Sequence, residues 1–215
     1  MARCTRYDCL WIVAVLQRHF HNYGPAMIKA LLRLIRYLYT TRTTPLIFKA
    51  GHPKNLHPSI TMVDASFASS LIDGTSHEGS ASFHMGCPTH ANSKRQRSVA
   101  LSSTKNEFMA AHAAARDACW RGNYLDHAGI AAQRPLPILE DNTAAIYLSH
   151  KHNLNGPRTR HMSTRWHWLQ QQVMENNVIL HHLRTSFQVA DILTKAVDHG
   201  IFKRLCPVLL GHNPV

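Results

Sequence analysis

Val99 to Trp120 reads VALSSTKNEFMAAHAAARDACW, and this stretch organises the rest of the chain. Two serines and a threonine open it, and Thr104 stands three residues before Glu107, the capping-box spacing in which a hydroxyl and a carboxylate satisfy free amides at a helix start. Beyond it, Ala111, Ala114, Ala115 and Ala118 make a thin face, with Phe108, Cys119 and Trp120 bulkier beside it. A helix with an alanine face can lie close to a sheet. Glu107 falls on the side of Ala111 and Ala114, because residues four and seven apart share a face. Read alone, Glu107 is a capping residue. A larger role requires other carboxylates to arrive at the same place.

The chain has 215 residues, 45% of them hydrophobic, enough for a buried core in one ordinary domain plus an appendage. Lys and Arg number 24 against 12 Asp and Glu, giving a net charge of +12 and a pI near 9.9. That imbalance points to a polyanionic partner, nucleic acid or an acidic surface. The five cysteines, at 4, 9, 87, 119 and 206, form no C-x-x-C pair and fit a reducing compartment. The apolar run Cys9 to Leu16 is too short to span a bilayer and lacks a small-residue cleavage site, so neither membrane insertion nor a signal peptide is expected.

Ahead of the central stretch, Cys9 to Tyr23 reads as a buried helix ending at Gly24, and Pro25 opens a second helix to about Thr40. That helix sets Met27, Leu31, Leu34, Ile35 and Leu38 on one face and Lys29, Arg33 and Arg36 on another. A short strand from Leu46 to Ala50 and a linker through Gly51, Pro53 and Pro58 follow. This divides the chain into an N-terminal unit (1–50), a main domain (58–200) and a C-terminal tail (201–215).

Ser59 to Ala65 alternates as a strand that carries Asp64 where its core face continues, a costly position unless a cation pairs with it. Gly74 and Gly79 bracket a turn, Ser80 to Met85 reads as a second strand, and Gly86 and Pro88 turn the chain into a third, His90 to Ser93. The basic run Lys94, Arg95, Gln96, Arg97 leads to the central helix, which ends near Gly129. Pro137 to Asp141 is a strand with an aspartate at its carboxyl end, against helix starters Asn142 and Thr143, where ligands gather in α/β sheets. Gly156 and Pro157 break the chain before a helix rich in Trp, Gln and His. Asn177 to Leu183 is a further strand, and Thr185 or Ser186 caps a last helix bearing Asp191 early. This order gives an α/β fold, a mixed sheet flanked by helices.

Four of the twelve acids, Asp64, Glu107, Asp141 and Asp191, thus fall mid-strand, at a strand end and at helix starts. Converging carboxylates repel and hold protons unless divalent cations balance them. Mg²⁺ takes oxygen ligands in octahedral geometry, and two such ions about 4 Å apart activate a water and steady a leaving oxygen in phosphodiester cleavage. Spacing alone equally admits four unrelated caps, edges and turns.

Five strings in fixed order bear on that choice: VDASFA at 63–68, SKRQRSVALSSTKNEFMA at 93–110, LEDNTAAI at 139–146, RTRHMSTRWHW at 158–168 and VADILTKAV at 189–197. Together they resemble the ribonuclease H domain of copia-type retrotransposon polyproteins. TRYD at 5–8 and RYLYTT at 36–41 resemble the tail of the reverse transcriptase that precedes it. The resemblance implies a ribonuclease H-like five-stranded mixed sheet, with Asp64, Glu107, Asp141 and Asp191 as catalytic and metal-binding residues for two Mg²⁺ ions (Mn²⁺ as an alternative). It implies endonucleolytic cleavage of the RNA strand of an RNA–DNA hybrid, with 2′-hydroxyls separating RNA from DNA. Lys94, Arg95, Gln96, Arg158, Arg160 and His161 are the expected backbone contacts, with Ser102, Ser103 and Asn142 as polar partners; each basic residue reads equally as a solvated charge. The remainder of a Pol polyprotein is a further implied partner, and an intracellular setting, cytoplasm, virus-like particle or nucleus, the implied location.

The strings depart from the family pattern at several places. Phe67, Ala91 and Ser163 stand where two tryptophans and an acid are usual, and HEGSAS at 77–82 is blurred. None removes a metal ligand, but the wear gives a rival reading, an inactive nucleic-acid-binding remnant. No Asp-Asp pair occurs, so no polymerase activity is expected. A zinc protein is disfavoured because the 17 histidines form no cluster of zinc-site spacing. An integrase core, which shares the general sheet, would need its last acid on a later helix.

Overall fold

A computed structural model describes residues 2–21, 23–49, 57–67, 74–96, 102–150 and 163–213. Five strands form one sheet: β1 (Ser59–Ser66), β2 (His77–His84), β3 (Cys87–Arg95), β4 (Leu136–Glu140) and β5 (Val178–His182). Their order is β3-β2-β1-β4-β5. The first three form an antiparallel meander, whereas β4 runs parallel to β1, and β5 parallel to β4. Met85 and Gly86, at φ of 52° and 77°, make the tight turn between β2 and β3. The sheet thus has the mixed, ribonuclease H-like organisation expected of the sequence.

Among the described residues, six helices of eight or more residues accompany it: α1 (Leu10–Arg18), α2 (Pro25–Thr40), α3 (Ser103–His127), α4 (Thr143–His150), α5 (Ser163–Met174) and α6 (His199–Leu209). The 25-residue α3 lays the alanine face read from the sequence, Ala111, Ala114, Ala115 and Ala118, on Val63, Ala65, Leu136 and Ile138. Methyl-sized side chains bring the helix axis close to the strands. The fully buried Phe108 stacks on Trp166 of α5, with ring centroids 4.3 Å apart. Burial of a side chain that size contributes about 1.5–3 kcal/mol, so Phe108→Ala would loosen α5 first.

Met62, Ala81, Phe83 and Ala91 face the other side, where Val189 to Leu193 and Leu205, Leu209 and Leu210 cover them together with Tyr7 and Leu10. The segments read as an N-terminal unit and a tail therefore share this core with the sheet. Leu210 O accepts from Ile47 N at 2.9 Å, and Gly211, at φ 76°, sits where a Cβ would run into Ile47 O. Buried Arg6 and Asp8 pair at 2.8 Å, and Tyr37 donates to the same Asp8 oxygen at 2.6 Å, fixing α2.

Several local expectations are corrected. Ser102, not Thr104, caps α3, its Oγ accepting from Lys105 N at 3.2 Å, so Glu107 lies within the helix and is no capping residue. Gly79 is inside β2 rather than in a turn. Leu46 to Lys49 is irregular, not a strand, while Ala50, Gly51 and Pro53 lie outside the described residues. The first helix stops at Arg18 instead of Tyr23. On α2 only Leu34 of the expected face is buried; Leu31 and Ile35 are about half exposed, because the helix leans on the body through Leu34 and Tyr37. Asp191 lies on a 3₁₀ turn, Val189–Leu193, rather than an α-helix, and the α-helix that follows is α6.

Candidate metal centre

Three elements bring acids together at the carboxyl ends of β1 and β4. Asp64 comes from β1, paired in register with Gly79; Glu107 comes from the first turns of α3; Asp141 follows β4. One carboxylate oxygen from each lies within 4.8 Å of the others. Asp64 and Glu107 are buried, Asp141 half-buried.

Asp191 stands at the edge of this group. Its Oδ1 lies 2.9 Å from Lys195 Nζ, and the same ammonium is 3.7 Å from Asp64 Oδ2. Lys195 is the cation that an acid inside an apolar strand requires. Burial works against its charge, but Asp64 and Asp191 outweigh burial and raise its pKa. Thr194, fully buried, donates its hydroxyl to Asp64 Oδ2.

Backbone geometry makes this approach possible. A Cβ on Gly79 would lie 2.6 Å from Leu193 Cβ and 2.8 Å from Thr194 Cγ2, so only glycine lets the 3₁₀ turn come down onto β2. Gln188, fully buried, clamps the turn from its other end. Its Nε2 donates to Val63 O at 2.8 Å and its Oε1 accepts from Ala190 N at 3.3 Å. Thr185 Oγ1 donates to Asp141 Oδ2 at 2.8 Å.

The electrostatics follow from burial and crowding. Burial, with Asp64 and Asp141 adding, pushes the Glu107 carboxyl up to about 9, and its Oε2 is buried with no hydrogen-bond donor among the described residues. Burial first, then Asp64, pushes Asp191 up to about 6. A fifth acid, Glu140, was missed in the sequence. It is fully buried, accepts from Asn142 N at 3.1 Å through Oε1, and leaves Oε2 without a donor among the described residues. Burial, then Glu107, raises it well above the usual carboxylate range. Crowded oxygen donors, two of them orphaned, suit a hard divalent cation of the Mg²⁺ type. Missed with Glu140 were Thr185, Gln188, Thr194 and Lys195; the last two fall inside the string VADILTKAV, and only their packing against Asp64 marks them.

The expected nucleic-acid contacts divide. Lys94 pairs with Glu78 at 3.1 Å, and Arg95 is exposed at the end of β3. Gln96 faces inward, donating to Asn106 O at 3.0 Å, and is buried, which removes it from the surface. Ser102 and Ser103 are exposed at the start of α3 beside Glu107. Asn142 caps α4, its Oδ1 accepting from Ala145 N at 3.1 Å. Arg158, Arg160 and His161 lie outside the described residues.

No family model matches the chain. Curated proteins do. Over 208 residues, 97% of this chain, it is 31% identical to the retrovirus-related Pol polyprotein from transposon TNT 1-94 of Nicotiana tabacum. Over 199 residues, 93% of it, the chain is 29% identical to the Pol polyprotein from transposon RE1 of Arabidopsis thaliana. Its homologues are copia-type retrotransposon Pol polyproteins. The chain spans only 15% and 13% of those relatives' lengths. Of solved structures, LC11-RNase H1, isolated from compost by a metagenomic approach, is similar at TM-score 0.48 with 15% identity, over 65% of this chain and 94% of that one. The chain carries a mixed five-stranded sheet and an acidic triad, Asp64, Glu107 and Asp141, whose oxygens lie close enough together to share a metal ion. None of its helices, among the described residues, is long and apolar enough to cross a membrane.

Proposed function

We propose that this domain is a metal-dependent ribonuclease that cleaves the RNA strand of RNA–DNA hybrids. The observation that carries the reading is the approach of Asp64, Glu107 and Asp141 within 4.8 Å from three separate elements, in a chain of net charge +12. Its similarity to Pol polyproteins over 97% of its length supports the choice of hybrid as substrate.

Asp64, Glu107 and Asp141 would hold the cation, with Asp191 closing the set once Lys195 yields it. Two Mg²⁺ ions (or Mn²⁺) would supply an activated water and offset charge at the leaving oxygen. The chain's own residues do the positioning. Thr194 orients the Asp64 carboxylate, Gln188 holds the Asp191 turn against β1, and Lys195 keeps Asp64 and Asp191 compatible before metal enters. Exposed Arg95, Ser102 and Ser103 are the described candidates for strand contact, beside the acids. Lys94, Asn142, Arg158, Arg160 and His161 complete the proposed surface. A Pol polyprotein is the proposed larger partner, and the cytoplasm, a virus-like particle or the nucleus the proposed location.

A second reading, a binding remnant without activity, is favoured by one observation: Lys195 already occupies Asp191, which lies outside the close triad. Hydrolysis of a labelled RNA–DNA hybrid in Mg²⁺ or Mn²⁺, with Asp64→Asn as control, separates the two. Metal-dependent cleavage lost in the variant supports the nuclease, and hybrid binding without cleavage supports the remnant.

A further inference from the structure

The opposite end of the sheet carries a second site of different chemistry. The amino ends of β1 and β4 and the last turns of α3 enclose a cavity of about 270 Å³. Ala118, Leu125 and Leu136 form part of its apolar wall, and Ser59, Thr61, His84 and Thr89 add polar groups. Trp120 and Tyr124 also line it, their rings stacked at 5.8 Å and 17° although 67% and 63% exposed. Arg121 lies 14 positions along α3 from Glu107, roughly 21 Å at the helical rise, so the site is separate from the acids.

Arg121 is the anomaly. Its Nη2 donates to Thr61 Oγ1 at 2.9 Å, and among the described residues this is its one hydrogen bond and no acid lies within ion-pair distance. A guanidinium carries five N–H donors. Burial pushes its pKa down, with Asp117, one turn back on the helix, opposing. A charge held among apolar walls without a counter-ion is costly, and an anion entering from solvent removes that cost.

We propose that this cavity binds a small aromatic monocarboxylate, its rings among Ala118, Leu125 and Leu136 and against Trp120, its carboxylate paired with Arg121. The two oxygens of a carboxylate match the fork of a guanidinium. One cation balances a monoanion, whereas a phosphate monoester brings more charge than Arg121 offsets. The volume sits just below the range of about 300–1,000 Å³ that holds drug-sized ligands, which suits a two-ring acid.

The probe is 2-naphthoate, titrated by calorimetry into the full chain, with 2-naphthalenemethanol as its neutral counterpart. The expected affinity is roughly 0.1–1 mM for the acid and at least about tenfold weaker for the alcohol. Arg121→Met should weaken the acid about tenfold or more and leave the alcohol unchanged, and Trp120→Ala, at an exposed rim position, should weaken both about threefold. Should Arg121→Met not fold, Arg121→Lys serves, keeping the charge without the fork and weakening the acid several-fold. The proposal is overturned if acid and alcohol bind equally, if removal of the Arg121 fork leaves the acid's affinity unchanged, if Trp120→Ala has no effect, or if no binding appears up to about 5 mM.

Discussion

Lys195 Nζ lies 2.9 Å from Asp191 Oδ1, one helical turn apart in sequence, and the same ammonium reaches to 3.7 Å from Asp64. The metal-free centre thus holds its own counter-ion. A divalent cation entering the triad competes with that ammonium for the same carboxylates. Lys195→Met should therefore lower the stability of the metal-free protein by about 1 kcal/mol, a figure kept small because the lysine is 40% exposed to screening solvent. Denaturant melts in EDTA and in Mg²⁺ measure it, and the deficit should close in Mg²⁺.

The pH dependence of the metal-free protein follows from Glu107. Its folded carboxyl titrates at about 9, above the ordinary value near 4.5, so the folded state binds the proton more tightly than the unfolded chain does. The contribution is fully present below 4.5 and is lost as pH rises through 9. Asp191, raised from 3.8 to about 6, adds a loss of the same sign that is complete at lower pH, as pH rises through 6. Melting temperature in EDTA should fall from pH 5 to pH 9, and saturating Mg²⁺ should flatten the curve. An equal slope with and without metal would contradict the assignment.

Glu140 is a fully buried acid whose ionisation the fold disfavours. Glu140→Gln keeps an Oε1 to accept from Asn142 N and removes a buried negative charge beside Glu107. In EDTA at pH 8 it should raise stability by on the order of 1 kcal/mol. Thermal melts of the two proteins at pH 5 and pH 8 check this, since the difference should appear only at the higher pH.

Gly79 tests how the Asp191 turn is seated. A methyl there would lie 2.6 Å from Leu193 Cβ, so Gly79→Ala must push the turn off β2. The expected cost is about 1–3 kcal/mol of stability. Metal affinity should fall with it, because Asp191, Thr194 and Lys195 ride on that turn. Amide hydrogen exchange across residues 188–195 locates the loss.

The acids were readable one at a time because each sits at a position that sequence can mark: mid-strand for Asp64, a strand end for Asp141. Their convergence was not readable, since nothing in the spacing places β4 beside β1; the five-string resemblance supplied that. The α3 cap was misplaced because Ser102, Ser103 and Thr104 offer three hydroxyls in a row, and only backbone geometry selects Ser102. Gly79 looked like a turn because glycine is rare in strands, and its reason for being in one lies 114 residues away at Leu193. Glu140 was passed over as the neighbour of Asp141. Alternation along a strand separates adjacent residues to opposite faces, but Glu140 ends β4 and Asp141 lies beyond it, where the chain leaves the pleat. The apolar periodicity of α2 was real, but it does not say which stripe meets the body. Leu34 does, and Ile28, Leu31, Leu32 and Ile35 face out.

The central claim is that Asp64, Glu107 and Asp141 act together as one cation site. Calorimetric titration of the EDTA-treated, dialysed chain with Mn²⁺ at pH 8, alongside Asp64→Asn, tests it most directly. The account predicts saturable binding with proton release, reduced about tenfold or more in the variant. Equal binding by both proteins, or none by either, would contradict it.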